Sequence, residues 1–193
     1  WWLGTEAGNA IADVLSGDYN PSGKLPMTFP AHVGQIPIYY NYKSTGRPES
    51  KQKGYTCCYQ DIDFEPAYPF GYGLSYTTFE IGTPTLEKRE WHVGETVVVR
   101  ATVKNTGNCA GKETVQLYVR DHVGSVTRPV KELRGFRQVY LQPGEETEVS
   151  FTLGKAELGF FNSELEFVTE PGTFSVMCGS DSKNLKSAEF ELR

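Results

Sequence analysis

The stretch Val97-Val98-Val99-Arg100-Ala101-Thr102-Val103 carries an apolar side chain at every second position. Because successive side chains of a strand point to opposite faces, this period of two predicts a strand with one buried face. Further runs towards the C-terminus repeat the period, with the apolar members Val115, Leu117 and Val119; Val149, Phe151 and Leu153; Phe174, Val176 and Cys178; and Phe190 and Leu192. The second half of the chain is therefore predicted to consist of half-buried strands.

Turn-forming residues separate these runs, as they do between the strands of antiparallel sheets. They are Val93-Gly94-Glu95, Asn105-Thr106-Gly107-Asn108, Gln142-Pro143-Gly144-Glu145 and Pro171-Gly172. Further strands predicted at residues 79–86 and 133–139 bring the number to roughly seven, which fits an antiparallel β-sandwich of about 100 residues. The Cys-Trp-Cys arrangement of antibody domains is absent, so a fibronectin type III-like variety of the immunoglobulin-like sandwich is predicted for residues 76–193.

The first 30 residues follow a different pattern. Apolar side chains recur every three or four positions between residues 5 and 17, which predicts a helix that buries one face, with Thr5 as N-cap and Gly17 at its end. A cluster of turn formers and a short extended piece at residues 25–29 follow. With Trp1 to Leu3 as the end of a strand, this segment is predicted to be the remnant of an α/β sandwich domain. Since the first methionine is Met27, the chain is predicted to be part of a longer protein.

Residues 31–75 contain seven tyrosines, several prolines and glycines, and no sustained period. This composition predicts a long irregular connector packed by aromatic side chains. The candidates for interdomain packing are Tyr39, Tyr40, Arg47, Tyr55, Tyr59, Phe70 and Tyr72. The same residue types stack on sugar rings and bond hydroxyl groups, so contact with a substrate stays open. On the sandwich, Arg128-Pro129 and Lys131-Glu132 are predicted to form an interdomain or surface face.

Composition excludes several classes of function. The 193 residues carry a formal net charge of -5, which provides no basic field for nucleic acid or anionic lipid. No apolar run approaches the roughly 20 residues that span a bilayer. The three histidines and four cysteines lack metal-ligand spacing, and the neighbours Cys57 and Cys58 are predicted to be plain thiols. With no glycine-rich nucleotide motif either, neither a metal nor a cofactor is expected.

The carboxylates Glu6 and Asp13 do not have the spacing of a catalytic pair. They lie two helical turns apart, about 10 Å along the axis, whereas paired catalytic carboxyl groups lie roughly 5 to 5.5 Å or 6.5 to 9.5 Å apart in a cleft, which a helix surface does not offer. Asp61, Asp63 and Glu65 alternate but do not complete a calcium-binding loop, so a solvated loop is predicted. No catalytic residue is therefore predicted within this chain.

Two stretches are more specific than these patterns: residues 4–26, ending in Asn20-Pro21-Ser22-Gly23-Lys24-Leu25-Pro26, and residues 68–79, beginning with Tyr68-Pro69-Phe70-Gly71-Tyr72-Gly73. They closely resemble the end of the α/β domain of glycoside hydrolase family 3 enzymes and the entry into their C-terminal fibronectin type III-like domain. The likeness continues through residues 103–107, 128–136 and 170–174, and residues 34–37 and 45–48 resemble the bacterial β-glucosidase branch.

The resemblance implies a retaining mechanism with a barrel-domain aspartate as nucleophile and an α/β-domain glutamate as acid and base. Neither motif is present, so we expect a non-catalytic C-terminal part of a retaining exo-acting β-glycosidase, β-glucosidase- or β-xylosidase-like, that is inactive alone. Its expected partners are the N-terminal barrel and α/β domains and, through them, an oligosaccharide or glycoside, in the periplasm or outside a bacterium. The alternative is a carbohydrate-binding or protein-interaction β-sandwich module. A homodimer that covers the apolar helix face is also considered.

Overall fold

The computed structural model describes residues 2–47, 59 and 61–193. Its elements, in chain order, are helix α1 (Ala7–Ser16), a 3₁₀ turn (Val33–Gln35), strands β1 (Phe79–Ile81), β2 (Thr85–Leu86), β3 (Glu90–Trp91), β4 (Val97–Asn105), β5 (Gly111–Asp121), β6 (Glu132–Leu141) and β7 (Glu146–Leu153), helix α2 (Lys155–Leu158), and strands β8 (Phe160–Phe161), β9 (Phe167–Val168), β10 (Gly172–Gly179) and β11 (Leu185–Leu192).

The strands form two sheets that share one apolar core. In the first sheet, β4 pairs with β1 and β2 on one side and with β7 on the other. The second sheet has the order β3-β11-β10-β5-β6, and all its pairs are antiparallel except β3 with β11. A small hairpin of β8 and β9 stands apart. The predicted mainly-β, fibronectin type III-like antiparallel sandwich is confirmed.

The core is made by the apolar members of the alternating runs. Val97, Val99 and Val103 from β4 meet side chains of β5, β7, β10 and β11 in one buried cluster. Phe174 and Phe190 stack across neighbouring strands with ring centroids 5.4 Å apart. Because each strand contributes every second residue, the period in the sequence corresponds directly to the buried face.

The prediction of one strand over residues 79–86 is wrong. The structure divides this stretch into β1 and β2, and each piece pairs with a different part of β4. Between them, Gly82 donates a backbone hydrogen bond to Thr102, but Pro84 has no amide hydrogen to continue the ladder. The short strands β3, β8 and β9 were not predicted, because two residues are too few to show a period.

The N-terminal segment differs from its prediction in several details. Helix α1 buries no residue, and Trp2 and Leu3 do not lie in a strand. Thr5 does not cap α1; Glu6 occupies the N-cap without a side-chain bond to the helix backbone, while Gly17 ends the helix at φ 86°, as expected. The predicted edge strand at residues 25–29 does not join an α/β sheet within the described residues. It pairs with the connector instead, through Leu25 to Tyr72 and Phe29 to Tyr68.

The two cysteines within the described residues differ in burial, which predicts different reactivity. Burial in the sandwich core raises the pKa of the Cys178 thiol to about 12, whereas Cys109 is exposed. Since the thiolate is the nucleophile, iodoacetamide at pH 8 is expected to alkylate Cys109 and to spare Cys178 in the folded chain. Peptide mapping by mass spectrometry checks this, and urea should make both thiols reactive. Equal labelling without urea would contradict the burial of Cys178. Cys57 and Cys58 lie outside the described residues.

Candidate interdomain surface

The connector packs on the outer face of the second sheet, along β5. Val115, Leu117 and Val119 point into the core, so the intervening Gln116 and Tyr118 point away from it, yet both are buried. The Gln116 amide nitrogen donates to the backbone oxygens of Gly71 and Ser180, at 3.0 Å and 2.6 Å. The Tyr118 hydroxyl donates to the Gln116 amide oxygen at 2.6 Å. Both faces of β5 are therefore covered, one by the core and one by the connector.

Two of the predicted packing residues form an aromatic cluster on this face. The rings of Tyr40 and Phe70 stack with centroids 4.2 Å apart, and Tyr40 meets Tyr118 edge-on at 5.8 Å. The Leu133 backbone nitrogen donates to the Tyr40 hydroxyl at 3.2 Å. Burial, aided by Tyr40 and Asp181, raises the pKa of Tyr118 far above its ordinary value, so its phenol stays protonated and keeps donating. Tyr40 and Phe70 thus fasten the connector to the sandwich.

The loop between β5 and β6 provides a second attachment. The Val130 nitrogen donates to the Tyr42 oxygen at 2.9 Å, and the Lys131 ammonium donates to the Ser182 oxygen at 2.5 Å. Arg128 bonds the Glu132 carboxylate at 2.8 Å and lies over the Phe160 ring at 4.3 Å. Arg128 and Lys131 are half-buried and make contacts inside the sandwich and beside the connector. Packing of this face against further domains stays a prediction.

Asn20, which the sequence analysis did not single out, joins the N-terminal segment to the sandwich. Its amide nitrogen donates to the Ala110 oxygen at 2.9 Å, and its amide oxygen accepts from the Ser75 hydroxyl and the Tyr76 nitrogen. Nearby, Lys24 and Glu113 form an ion pair at 2.7 Å with little exposure of either side chain. In the sequence, Asn20 belongs to a run of turn formers and to the stretch 4–26 that carries the family resemblance, but neither indicates this contact.

The N-terminal segment leaves apolar surface exposed above these attachments. Helix α1 has no buried residue; the side chains of Ile11 and Leu15 are 47% and 78% exposed. A groove of about 580 Å³ lies between the segment 21–29 and the connector, with Leu25, Phe29 and Tyr72 among its mainly apolar lining. Apolar surfaces of this kind mark interaction sites in soluble proteins.

The other predicted packing residues do not join the Tyr40 cluster. Tyr39 and Tyr59 are 61% and 41% exposed, and Arg47 is exposed as well. Tyr72 packs against the Tyr68 ring at 5.0 Å and lines the apolar groove. Tyr55 lies outside the described residues. Packing of these side chains against other domains stays a prediction.

The carboxylates considered for catalysis or calcium lie apart. Glu6 and Asp13 are both exposed on α1. In the loop, Glu65 pairs with Lys183 at 2.8 Å, while the Asp63 backbone oxygen accepts from the Gln35 side chain. Within the described residues, no group of three or more His, Cys, Asp or Glu could hold a metal ion. The same part of the chain contains no helix long and apolar enough to cross a membrane.

Comparison with known proteins accounts for both parts of the chain. Residues 1–76 match the model of the glycosyl hydrolase family 3 C-terminal domain, and residues 113–182 match that of the fibronectin type III-like domain. The whole chain is 48% identical to the periplasmic beta-glucosidase of Salmonella typhimurium. The chain thus carries the C-terminal domain of glycoside hydrolase family 3, followed by a fibronectin type III-like domain. It is also 46% identical to a beta-xylosidase of Formosa agariphila, again over its full length.

Solved family 3 structures show the same arrangement. The beta-glucosidase of Listeria innocua, solved in complex with glucose, superposes on the whole chain with a TM-score of 0.94 at 48% identity. The chain covers 27% of that enzyme, 25% of the Salmonella protein and 26% of the Formosa protein. It therefore corresponds to the C-terminal part of family 3 β-glucosidases and β-xylosidases and spans about a quarter of their length.

Proposed function

We propose that the chain is the non-catalytic C-terminal part of a retaining, exo-acting family 3 β-glycosidase and that it holds the catalytic domains in position. The observation that carries the proposal is helix α1, which exposes its apolar face although the segment that follows it is anchored. Asn20 fixes that segment to the sandwich, and the Tyr40 cluster fixes the connector. Because the segment after α1 is held on the sandwich and the apolar face of α1 is uncovered, this face is suited to dock a neighbouring domain.

The proposed occupants of this face are the N-terminal barrel and α/β domains of the longer protein. In this proposal, residues 1–30 complete the α/β domain, residues 31–75 connect the domains, and residues 76–193 form the fibronectin type III-like domain. Burying apolar side chains such as Ile11 and Leu15 stabilises by about 1.5 to 3 kcal/mol each. A correctly seated α/β domain would keep its acid/base group aligned with the barrel nucleophile.

The relatives support a proposal for the class of substrate and for the location of the protein. A β-glucosidase and a β-xylosidase are both close, so we propose an oligosaccharide or glycoside that loses its terminal sugar, without choosing between glucose and xylose. The Salmonella relative is named periplasmic, which supports a periplasmic or extracellular protein. The chain alone is expected to show no turnover of nitrophenyl β-glucoside or β-xyloside. Turnover by the purified chain would overturn its non-catalytic role.

Leu15→Asp tests the docking role of α1. In the longer enzyme the new carboxylate would lie in an apolar interface, so we expect a loss of about 2 kcal/mol in stability and a lower kcat. In the 193-residue chain alone, where Leu15 is 78% exposed, the change should stay within about 0.5 kcal/mol. Urea unfolding of both proteins measures the difference.

Asn9→Asp is the matched control, because Asn9 is exposed on the same helix and lies at least about 120° around it from the apolar positions 11, 14 and 15. It should leave the longer enzyme nearly unchanged. Equal effects of both substitutions, or no effect of Leu15→Asp on the longer enzyme, would remove the support for docking through α1. A Leu15→Asp variant that converts a dimeric chain into a monomer would favour the homodimer instead.

A further inference from the structure

A groove of about 570 Å³ separates the end of helix α1 from the sandwich. Residues 15–20 line one side, and residues 109–112 with Tyr140 line the other. Tyr19, Tyr76 and Tyr140 all contribute to the lining, and they are 49%, 53% and 57% exposed. Three half-exposed aromatic rings therefore share one concave site.

The walls of the groove are held by hydrogen bonds that do not depend on a ligand. Asn20 joins the two sides through its bond to the Ala110 oxygen, at 2.9 Å. The Tyr19 nitrogen donates to the Asp13 oxygen at 3.0 Å, and the Tyr76 hydroxyl donates to the Val14 oxygen at 2.5 Å. The groove is therefore preformed, which spares a ligand the cost of ordering it.

The lining chemistry selects the class of ligand. Tyrosine rings offer apolar faces with a polar hydroxyl at the rim, and a pyranose ring offers an apolar C–H face surrounded by hydroxyls. Asp18 and Lys112 add one exposed charge of each sign, so the groove does not favour an ion of either charge. Its volume lies in the range of small-molecule sites.

We propose that this groove binds a neutral oligosaccharide by stacking sugar rings on Tyr19 and Tyr140, while the Lys112 ammonium donates hydrogen bonds to sugar hydroxyls and the Asp18 carboxylate accepts them. The site binds without cleaving. The proposal rests on the proposed function for the nature of the sugar, since a glycosidase works among oligosaccharides. It would keep substrate or product chains close to the enzyme.

Isothermal titration of the full 193-residue chain with cellotetraose and with xylotetraose tests the proposal. We expect saturable binding of at least one of them, weakened three- to tenfold by Tyr140→Ala and by Tyr19→Ala, the range typical of one lost aromatic contact. Tyr140→Phe, which keeps the ring, should retain most of the affinity. Thermal melts confirm that each variant is folded.

Phe136→Ala is the matched control. Phe136 lies four residues before Tyr140 on β6, on the same face and 60% exposed, but it does not line the groove. The control should bind like the unchanged chain. No saturable binding, equal loss in Phe136→Ala, or tighter binding of an oligogalacturonate would overturn the proposal. Leu15 lies at the edge that the groove shares with the docking face. Because the titration involves neither hydrolysis nor the longer enzyme, its failure is separate from failure of the docking role, which Leu15→Asp tests in the longer enzyme.

Discussion

Gly71→Ala is expected to destabilise the chain by about 3 kcal/mol and to detach the connector from β5. Gly71 has φ +80°, a conformation that side chains with a Cβ rarely adopt, and an added Cβ would overlap the Gln116 side-chain amide. Gln116 would have to move, which would break its bonds to the Gly71 and Ser180 oxygens and to the Tyr118 hydroxyl. Urea unfolding followed by far-UV circular dichroism measures the loss, and limited proteolysis of the connector reports the detachment.

Gly144→Ala separates backbone strain from the clash. Gly144 has almost the same φ, +79°, but nothing lies within 4 Å of an added Cβ. This variant should lose only about 1 kcal/mol, and its connector should resist proteolysis as before. If Gly71→Ala cost no more than Gly144→Ala, the fit of Gly71 against Gln116 would be looser than the structure indicates.

Asn105→Ala is expected to cost about 4 kcal/mol. Asn105 is fully buried, and its amide nitrogen donates to the Cys109 and Leu141 oxygens, at 2.9 Å and 3.0 Å. Its amide oxygen accepts from the Thr77 hydroxyl and the Gly107 nitrogen. Alanine would leave several buried polar groups without partners at the point where the connector enters the sandwich. Calorimetric melting should show a fall of roughly 10 °C in Tm.

Asn108→Ala serves as the comparison for Asn105→Ala. Asn108 lies in the same turn and is exposed, so its loss should change Tm by little. A small effect of Asn105→Ala would mean that water or a rearranged turn replaces its bonds. A large effect of Asn108→Ala would show that the turn, not the buried amide, holds the entry point.

The sequence predicts the sandwich well because most strands bury one face. In β4 and β7 most polar positions, though not Asn105, lie on the face away from the core, so polarity and burial agree and the period of two is plain. The same reasoning fails for Gln116, whose polarity suggests an exposed position although the connector covers it. A polar residue on the second face of a sheet is buried only when a segment far away in the sequence covers it. The local pattern of polar and apolar residues does not predict this.

The composition of the connector predicts that aromatic side chains attach it to the sandwich, but it does not predict which ones. Tyr39 and Tyr40 are neighbours of the same type, yet Tyr40 stacks on Phe70 while Tyr39 is 61% exposed. Nothing local in the sequence distinguishes them, because the choice is made by the position of Phe70 and Tyr118, far along the chain. The helix was predictable from its period, whereas its cap was not, since Thr5 and Glu6 both suit the start of a helix.

The burial of β5 on both faces constrains insertions and deletions in a way that composition does not show. Deleting one residue from this strand would turn Gln116 and Tyr118 towards the core and would place valine and leucine side chains against the connector. Neither partner could accept the exchange, because one surface is matched to aliphatic groups and the other to an amide and a phenol. The length of β5 is thus constrained both by the core and by the connector. A strand with one face in solvent would be constrained by the core alone.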